Sequence, residues 1–297
     1  MTPRTKLALI TFRPPAGTVY DTLFSEDEHL AAVLHQKGFE VSRVAWDAEG
    51  ADWTVFDLAF IRSPWDYHHR YTEFMEWLER MEKSGLPMFN PYAMLRWNSD
   101  KHYLQHIGSA GLPVIPSVFL EKGTSPDLAA LFDRLGCEKL IIKPCVSGGA
   151  RNTRVLERPT VHTTSGEINS WLRAESYLVQ PFMEEVKEGE WSFLFFNGQF
   201  SHSVLKVPKS GDFRVQHTHG GSILRPDPAP EHLEQAAAYV QAFAAGSLYA
   251  RVDAIATTSG LQLMELELIE PYLFLENASG SAEAFADALT VLLSTTR

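Results

Sequence analysis

Two glutamates in an alternating segment near the end of the chain have the types and spacing of a metal site. The segment Leu261–Ile269 reads LQLMELELI, and as a β-strand it would direct Glu265 and Glu267 to the same face, because side chains alternate along a strand. Their Cα atoms would lie roughly 6–7 Å apart, close enough for the two carboxylates to share one cation. The opposite face would carry three apolar residues: Met264, Leu266 and Leu268.

The preceding strand would add a third carboxylate. It places Arg251 and Asp253 on one face, and Thr258–Ser259–Gly260 would join the two strands as a hairpin. Convergent carboxylates repel one another unless a cation lies between them, and hard oxygen ligands suit Mg²⁺. The predicted magnesium ligands are Asp253, Glu265 and Glu267. A solvated surface of charges paired with Arg251 is the alternative, and the surrounding apolar residues disfavour it.

Two lysines and a glycine loop stand where phosphates would bind. Lys101 falls in the first turn of a predicted helix, where the helix dipole disfavours a cation unless it is directed at an anion. Lys143 ends an apolar strand and precedes a loop with Gly148–Gly149, whose backbone N–H groups can contact phosphate oxygens. Taken alone, a solvated lysine and a plain turn are equally ordinary interpretations.

Two further polar segments have more than one interpretation. Gln180–Phe182 precedes Glu190 in an acidic stretch, which is either a solvated loop or a hinge whose backbone pairs with adenine while Glu190 contacts the ribose. Arg214 shares a loop with two histidines and Gly220–Gly221. An arginine and glycine N–H groups can stabilise a developing oxyanion, whereas the histidines are common as plain loop residues.

The order of predicted elements indicates the fold class. The chain begins with a strand, and the capping-box spacing of Ser25 and Glu28 predicts the start of a helix. More strands and an amphipathic helix at Tyr71–Lys83 follow, without a Gly-x-Gly-x-x-Gly motif, which indicates a small Rossmann-like α/β domain. Asn98 or Ser99 can cap the next helix. Later, Asn197–Gly198 is a strong signal for a two-residue β-hairpin.

Composition excludes several classes of protein. The chain has 297 residues and a formal net charge of −11, which makes it a poor binder of nucleic acid or anionic membrane. Its two cysteines, Cys137 and Cys145, form neither a disulfide framework nor a zinc motif. Without a signal peptide or a bilayer-spanning apolar run, we expect a cytoplasmic protein.

In their order along the chain, these segments resemble the ATP-grasp superfamily, within the branch of prokaryotic glutathione synthetase, the ribosomal-protein glutamate ligase and the D-cycloserine-forming ligase. The resemblance covers about residues 96–276. It implies an α/β (α+β) ATP-grasp fold with a Rossmann-like N-terminal domain at residues 1–95, a lid unit at 96–182 and a C-terminal unit with the metal site at 183–297. It also implies ATP and two Mg²⁺ ions.

The resemblance assigns a role to each matching residue. The expected ATP contacts are Lys101, Lys143, Ser147, Gly148, Gly149, Gln180, the main chain of Phe182, and Glu190. The expected metal ligands are Asp253, Glu265 and Glu267. Arg214, with Lys143 and Gly221, would steady the acyl phosphate and the tetrahedral intermediate. Two positions depart from the pattern of glutathione synthetase. Glu267 stands where that enzyme has an asparagine, and Glu190 stands where it has an aspartate.

The implied reaction phosphorylates a small-molecule carboxylate, such as that of an amino acid, and joins the acyl group to an amine. Arg62 would hold a substrate carboxylate and Asp66 an ammonium group, because both follow the C-terminal end of a strand. Arg251 and Glu270 flank the metal face and are further substrate candidates. A loop that only packs Trp65 is the alternative for the segment around Asp66.

Three other functions remain open at this point. The first is an intramolecular cyclo-ligase of the D-cycloserine-forming type, and the second is a phosphotransferase that acts on an alcohol. The third is a non-catalytic nucleotide-binding regulator, which the intact carboxylates disfavour. The expected partners are the small-molecule carboxylate and amine, and the resemblance favours a homo-oligomer, in particular a dimer.

Overall fold

A parallel sheet forms the first part of the fold. The computed structural model describes residues 4–14, 21–149, 151–209 and 220–296. The strands of the first sheet are β1 (Lys6–Thr11), β2 (Glu40–Ala45), β3 (Leu58–Ser63) and β4 (Met88–Phe89). They are parallel and lie in the order β2-β1-β3-β4. The accompanying helices are α1 (Asp21–Gln36) and α2 (Tyr71–Ser84).

Local sequence explains one of these helices better than the other. The predicted inward face of α2 is buried, and the helix ends where Gly85 adopts a left-handed conformation with φ 76°. The buried residues of that face are Phe74, Trp77, Leu78 and Met81. The predicted start of α1 at Ser25 is wrong, because the helix already begins at Asp21. Ser25 and Glu28 therefore lie inside the helix.

Two short helices connect the first sheet to the rest of the chain. They are α3 (Tyr92–Asn98) and α4 (Tyr103–Ser109). Lys101 lies in the turn between them rather than in the first turn of one continuous helix. Its main-chain N–H donates to the carbonyl of Cys145 at 2.9 Å, so this turn is attached to the second sheet.

An antiparallel sheet with its own core forms the second part. Its strands are β5 (Val118–Leu120), β6 (Lys139–Pro144), β7 (Arg154–Glu157) and β8 (Tyr177–Pro181), in the order β5-β8-β6-β7. Its helices are α5 (Leu128–Leu135) and α6 (Ser165–Leu172). The buried cluster of this sheet draws only on residues between Val118 and Val179. Its core is therefore separate from the others.

The third sheet is antiparallel and lies in the order β11-β10-β9-β12-β13. Its strands are β9 (Glu190–Phe196), β10 (Gln199–Val207), β11 (Ser222–Leu224), β12 (Tyr249–Thr257) and β13 (Gly260–Glu267). Its helices are α7 (Pro230–Phe243) and α8 (Ser281–Thr296). Asn197 and Gly198 have φ angles of 46° and 73°, as expected for the predicted two-residue hairpin between β9 and β10.

The first and third sheets share one hydrophobic core. Phe60 of β3, Phe196 of β9 and Phe285 of α8 pack in a single cluster, and helix α8 also lies against α1. The buried side chain of Asn90 joins the two sheets through hydrogen bonds to both main-chain groups of Tyr249 and to the carbonyl of Leu268. The hairpin of β12 and β13 is consequently fixed against the first sheet.

Side chains from the connecting helices cover the outer edge of β13. The amide of Asn98 donates to the carbonyl of Leu266 at 2.7 Å and accepts from the N–H of Leu268 at 2.9 Å. The hydroxyl of Tyr103 accepts from the N–H of Leu266 at 3.0 Å. Unpaired main-chain groups on a buried edge would be costly, and these contacts satisfy them. In the ranges that the structure describes, we find no helix with the length and apolar character needed to cross a bilayer.

Candidate active site

The predicted acidic hairpin is present. Strands β12 and β13 pair antiparallel, with Asp253 opposite Glu265 and Arg251 opposite Glu267. Counting from the turn would pair Asp253 with Met264, and a shift of the register by one residue brings Asp253 opposite Glu265 instead. The three predicted metal ligands therefore lie on one face of the third sheet, as the sequence indicates.

A β-bulge changes the expected position of Met264. The register shifts between Asp253 and Ala254, so that Ala254 faces Leu263 and Met264 has no opposite residue. An extra residue in a strand reverses the alternation beyond it. Leu266 and Leu268 pack in the core under α7, as predicted, whereas Met264 packs beside Ile255 on the face of the carboxylates. The prediction that Met264 shares a face with Leu266 is wrong.

Three cations lie among these carboxylates: Lys101, Lys143 and Arg251. Lys143 Nζ lies 2.8 Å from Glu265 Oε1, and Lys101 Nζ lies 3.9 Å from Glu265 Oε2. Arg251 pairs with Asp253 at 2.9 Å and also with Glu267. The two lysine side chains and that of Arg251 are each only 9% exposed. The site therefore holds a compact alternation of buried positive and negative charges.

The pKa values of the carboxylates diverge because their neighbours differ. Burial opposes ionisation of Glu265, but Lys101 and Lys143 outweigh it and lower its pKa to about 2. Burial also opposes ionisation of Asp253, whose pKa Arg251 and Lys206 hold well below its ordinary range. For Glu267, burial and the nearby carboxylates prevail over Arg251 and raise the pKa to about 8. The pKa of Glu267 therefore lies well above that of Glu265.

Lys206 is a member of this cluster that the sequence analysis missed. Its ammonium group pairs with Glu190 and lies 3.3 Å from Asp253 Oδ2. Asp253 Oδ1 also accepts a 2.5 Å hydrogen bond from Ser192. Against the effect of burial, Asp253 and Glu190 raise the pKa of Lys206, so it stays charged. The alternation of β10 was the available signal, because it places Lys206 on the inward face of that strand.

The glycine loop lies beside Lys101 and the first sheet. Lys101 Nζ donates to the carbonyl of Ser147 at 3.1 Å and to its hydroxyl at 3.3 Å. A Cβ on Gly148 would lie 3.3 Å from His68 Nδ1 and 3.7 Å from Glu270 Oε1. Gly149 has a positive φ of 60°, which favours glycine. The loop backbone thus fits closely between Lys101 and residues 68 and 270.

The predicted hinge residues lie at the end of β8. Gln180 is buried on β8 and its amide donates to Ser117 Oγ at 3.0 Å. At Phe182, whose main chain is expected to contact adenine, the N–H donates to the carbonyl of Lys139 at 3.0 Å. The next N–H, that of Met183, makes no hydrogen bond within the part of the chain that the structure describes. An apolar cluster surrounds the hinge: Ile115, Phe182, Met183, Val186, Ile255 and Met264.

Two of the expected substrate residues are engaged within the protein. Arg62 is 1% exposed; its guanidinium lies 2.8 Å from Glu26 and 3.3 Å from Asp27, and donates to the carbonyl of Pro271. It therefore tethers α1 to the segment after β13 and is not directed at a ligand. Asp66 Oδ1 accepts from the indole of Trp46 at 2.7 Å.

The remaining candidates lie at different places. Arg251 and Glu270 both lie at the end of the acidic hairpin, with Arg251 paired as described above. Burial raises the pKa of Glu270 to about 7, against the opposing effects of Lys101 and of the nearby Tyr67. Gly221 directly precedes β11, which pairs with the end of β10. Arg214 and its neighbouring histidines lie outside the residues that the structure describes.

Comparison with known proteins places this arrangement in a family. Residues 125–274, just over half of the chain, match the family described as prokaryotic glutathione synthetase, ATP-grasp domain. Residues 7–90 match the D-cycloserine synthetase DcsG, N-terminal domain. The cycloserine biosynthesis protein DcsG of Streptomyces lavendulae is 28% identical over 258 residues, covering 82% of this chain and 86% of that protein. A glutathione synthetase of Bradyrhizobium diazoefficiens is 25% identical over 202 residues, covering 67% and 62%.

Solved structures agree with this placement. The crystal structure of D-cycloserine synthetase DcsG superposes with a TM-score of 0.83 at 26% identity, covering 97% of this chain and 99% of that one. A D-alanine–D-alanine ligase from Bacillus anthracis superposes with a TM-score of 0.73 at 15% identity, covering 98% and 97%, which shows a common fold. ATP-grasp enzymes use ATP with Mg²⁺. This chain therefore belongs to the prokaryotic glutathione synthetase group of the ATP-grasp family and is an ATP-dependent carboxylate–amine ligase.

Proposed function

We propose that the enzyme phosphorylates the carboxylate of an amino acid or amino-acid derivative in the cleft between its second and third sheets, and then joins the acyl group to a nitrogen. The observation that carries this proposal is the meeting of Lys101 and Lys143 with the carboxylate of Glu265 across that cleft. Lysines can bind phosphate oxygens and carboxylates can bind magnesium.

Asp253, Glu265 and Glu267 fit a magnesium site because they supply hard oxygen ligands from one rigid hairpin. We assign two Mg²⁺ ions to them. When bound, the metal neutralises charge on the β- and γ-phosphates. Glu265 would then bind Mg²⁺ instead of its lysine partners. Lys101 and Lys143 would be free to contact phosphate oxygens. The glycine loop at Ser147, Gly148 and Gly149 would add main-chain donors.

The apolar cluster around the hinge supports an adenine pocket. We assign the adenine contact to the N–H of Met183, since that of Phe182 is already engaged by Lys139. Gln180, held by Ser117, would line the same pocket. Lys206 pairs with Oε1 of Glu190, so we assign the ribose hydroxyls to its other oxygen, Oε2.

The chemistry proceeds in two steps. A carboxylate oxygen of the substrate attacks the γ-phosphorus, ADP leaves, and an acyl phosphate results. The nitrogen then attacks the acyl carbon, the C–O bond to phosphate breaks, and the nitrogen loses a proton. Arg251, together with Arg214 and the N–H of Gly221, would stabilise the oxyanion that develops on the acyl carbon.

The second sheet would act as a lid during these steps. We propose that residues 1–95, 96–182 and 183–297 behave as three units. One face of the second sheet has a core built from that sheet and its own helices, which supports this division. Closure would exclude the water that otherwise hydrolyses the acyl phosphate.

Intramolecular ring closure is the second candidate. The match of residues 7–90 to the N-terminal domain of D-cycloserine synthetase favours it over ligation of two molecules. Mass spectrometry separates the two: a ring-closing product has the mass of one substrate minus water, whereas a two-molecule product has the summed mass of acid and amine minus water.

Calorimetry and trapping test the proposed function. ATP should give binding heat with Mg²⁺ and much less without it. A panel of amino acids, hydroxy acids and ureido acids should then include one that yields ADP and, in the presence of hydroxylamine, a hydroxamate. An absence of Mg-dependent heat would contradict the nucleotide site, and ADP without hydroxamate would contradict the acyl phosphate. The expected homodimer stays a prediction that light scattering checks.

A further inference from the structure

Three side chains meet at the end of the acidic hairpin, between the first sheet and the glycine loop. Glu270 comes three residues after Glu267, and the buried Tyr67 lies close to its carboxyl group. The indole of Trp65 donates to the main-chain carbonyl of Glu270 at 3.3 Å. The first sheet therefore holds both the backbone and the side chain of Glu270 in place.

His68 adds a second acceptor to this place. Its Nδ1 is buried and has no hydrogen-bond partner in the described part of the chain. Burial, with the charges of His69, Arg151 and Lys101, lowers the pKa of His68 to about 4, so the ring is neutral. A neutral imidazole protonated on Nε2 presents Nδ1 as an acceptor. A buried acceptor without a donor is costly, and a ligand that supplies one would relieve that cost.

His68 Nδ1 and Glu270 Oε1 lie against the same side of Gly148. The point where a Cβ of Gly148 would lie is 3.3 Å from His68 Nδ1 and 3.7 Å from Glu270 Oε1. Glu270 forms no ion pair within 4.0 Å among the residues described. The chemical complement of a carboxylate and a neutral acceptor is a group that carries several N–H donors and, preferably, a positive charge.

The residues expected to bind phosphate lie next to His68 and Glu270. Ser147, which receives the hydrogen bonds of Lys101, directly precedes Gly148. A nitrogen held between His68 and Glu270 would therefore stand beside the phosphorylated carboxylate.

We propose that Glu270, positioned by Tyr67, and His68 form the subsite for the nucleophilic nitrogen of the substrate, an ammonium or other NH₂-bearing group. This assignment rests on the proposed function and specifies its amine side. Glu270 and His68 contact the nitrogen, whereas Tyr67 is a positioning residue.

Activation and amine recognition can be measured separately. Hydroxamate formation in excess hydroxylamine reports activation of the carboxylate. Amine recognition is measured in two arms. The first arm is the KM of an added amine such as glycine or D-alanine. The second arm is the ratio of the KM values of an amine-bearing acid and its analogue without the amine, for example D-serine and D-glycerate. Each arm compares the wild type with Glu270→Gln, with Glu276→Gln as an exposed control in the same segment.

Loss of a charged hydrogen bond to the nitrogen should weaken amine recognition by about tenfold or more in Glu270→Gln. Hydroxamate formation should stay within about threefold, and Glu276→Gln should behave as the wild type. His68→Asn, which retains an acceptor, should keep most of the recognition that His68→Leu loses. Tyr67→Phe should raise the amine KM more than it lowers kcat.

Two outcomes overturn the subsite. One is that neither arm shows amine recognition that depends on Glu270. The other is that Glu270→Gln lowers hydroxamate formation and amine transfer equally, which would indicate a general structural role. Failure of the proposed function is different, because Mg-ATP heat and hydroxamate would then be absent from the wild type itself.

Discussion

Lys143 Nζ and Glu265 Oε1 lie 2.8 Å apart, so a lysine of the second sheet and a carboxylate of the third form an ion pair across the cleft. The pair is polar and nearly buried, and a lysine without it would face a low-dielectric environment. In our proposal Lys143 binds the nucleotide phosphates and Glu265 binds magnesium, so the two side chains separate when Mg-ATP binds.

Glu265→Gln tests this exchange most directly. Glutamine keeps the shape and a hydrogen bond to Lys143 but is a poor ligand for Mg²⁺, so we expect ADP formation to fall by about 100-fold or more. The melting temperature should stay within about 3 °C of the wild type. Glu157→Gln, an exposed change on the second sheet, serves as the control. Full activity in Glu265→Gln would refute the metal assignment.

Glu267 predicts a pH dependence of metal binding. The pKa of Glu267 is raised from an ordinary 4.5 to about 8. At a pH between these two values the carboxyl group in the folded protein holds a proton, which the metal must displace. The apparent affinity for Mg²⁺ should therefore rise with pH, by up to about tenfold per unit, and level off above pH 8. Calorimetry in two buffers of different ionisation enthalpy would measure proton release at pH 6.5. Unchanged proton release in Glu267→Gln would contradict the assignment.

Lys206→Met should destabilise the protein in a pH-dependent manner. Removing the cation leaves Glu190 and Asp253 buried with less compensation, at a cost of about 3–5 kcal/mol near neutral pH. Their pKa values would rise, so the cost should be smaller at pH 5.5 and larger at pH 8. Urea unfolding at both pH values measures this. Lys206→Arg, which keeps the charge, is the control, and a pH-independent loss would point to packing alone.

Asn98→Ala tests how the edge of β13 is held. The substitution removes two hydrogen bonds and leaves a buried N–H and carbonyl unsatisfied, which should cost about 2–4 kcal/mol of unfolding free energy. Because the strand carries Glu265 and Glu267, the affinity for Mg-ATP should also fall. Asn98→Asp retains only the acceptor and should have an intermediate effect. Equal stability of the alanine variant and the wild type would remove Asn98 from this role.

Met183→Pro tests the adenine contact. Met183 has a φ of −81°, which proline accepts, so the main loss besides the side chain is the N–H. The affinity for Mg-ATP should fall by about 3–10-fold relative to Met183→Ala, which shares the loss of the side chain. Calorimetry measures the dissociation constant of Mg-ATP for each of the two variants. Equal affinities in the two variants would place the adenine contact elsewhere.

Local patterns in the sequence were sufficient for the two strands that carry the site, but not for their register. Alternation predicted that Arg251 and Asp253 share one face of their strand and that Glu265 and Glu267 share one face of theirs, whereas the bulge after Asp253 sets Asp253 opposite Glu265. The buried face of α2 followed from helical spacing in the same way. Both are short-range effects, in which the relevant residues are close in sequence.

Bulges and long-range ion pairs could not be predicted in this way. Counting from the turn at Asn197–Gly198 pairs Glu190 with Leu205, but a bulge at Ser201 shifts the register and brings Lys206 to Glu190. Arg62 lies near the C-terminal end of β3, where ligands are common, yet it pairs with Glu26 and Asp27 on α1. Such partners are set by tertiary packing: the alternation of β10 indicates which face Lys206 takes, but not which residue it contacts.

Helix α8 has a consequence for how the chain folds. Phe285 and its neighbours complete the core around β1 and β3, so these early strands keep an apolar face uncovered until the segment 281–296 has been synthesised. We expect the first sheet to dock late, after the second sheet, with its self-contained core, has already formed. Nascent chains that stop short of α8 should therefore depend on chaperones to remain free of aggregation.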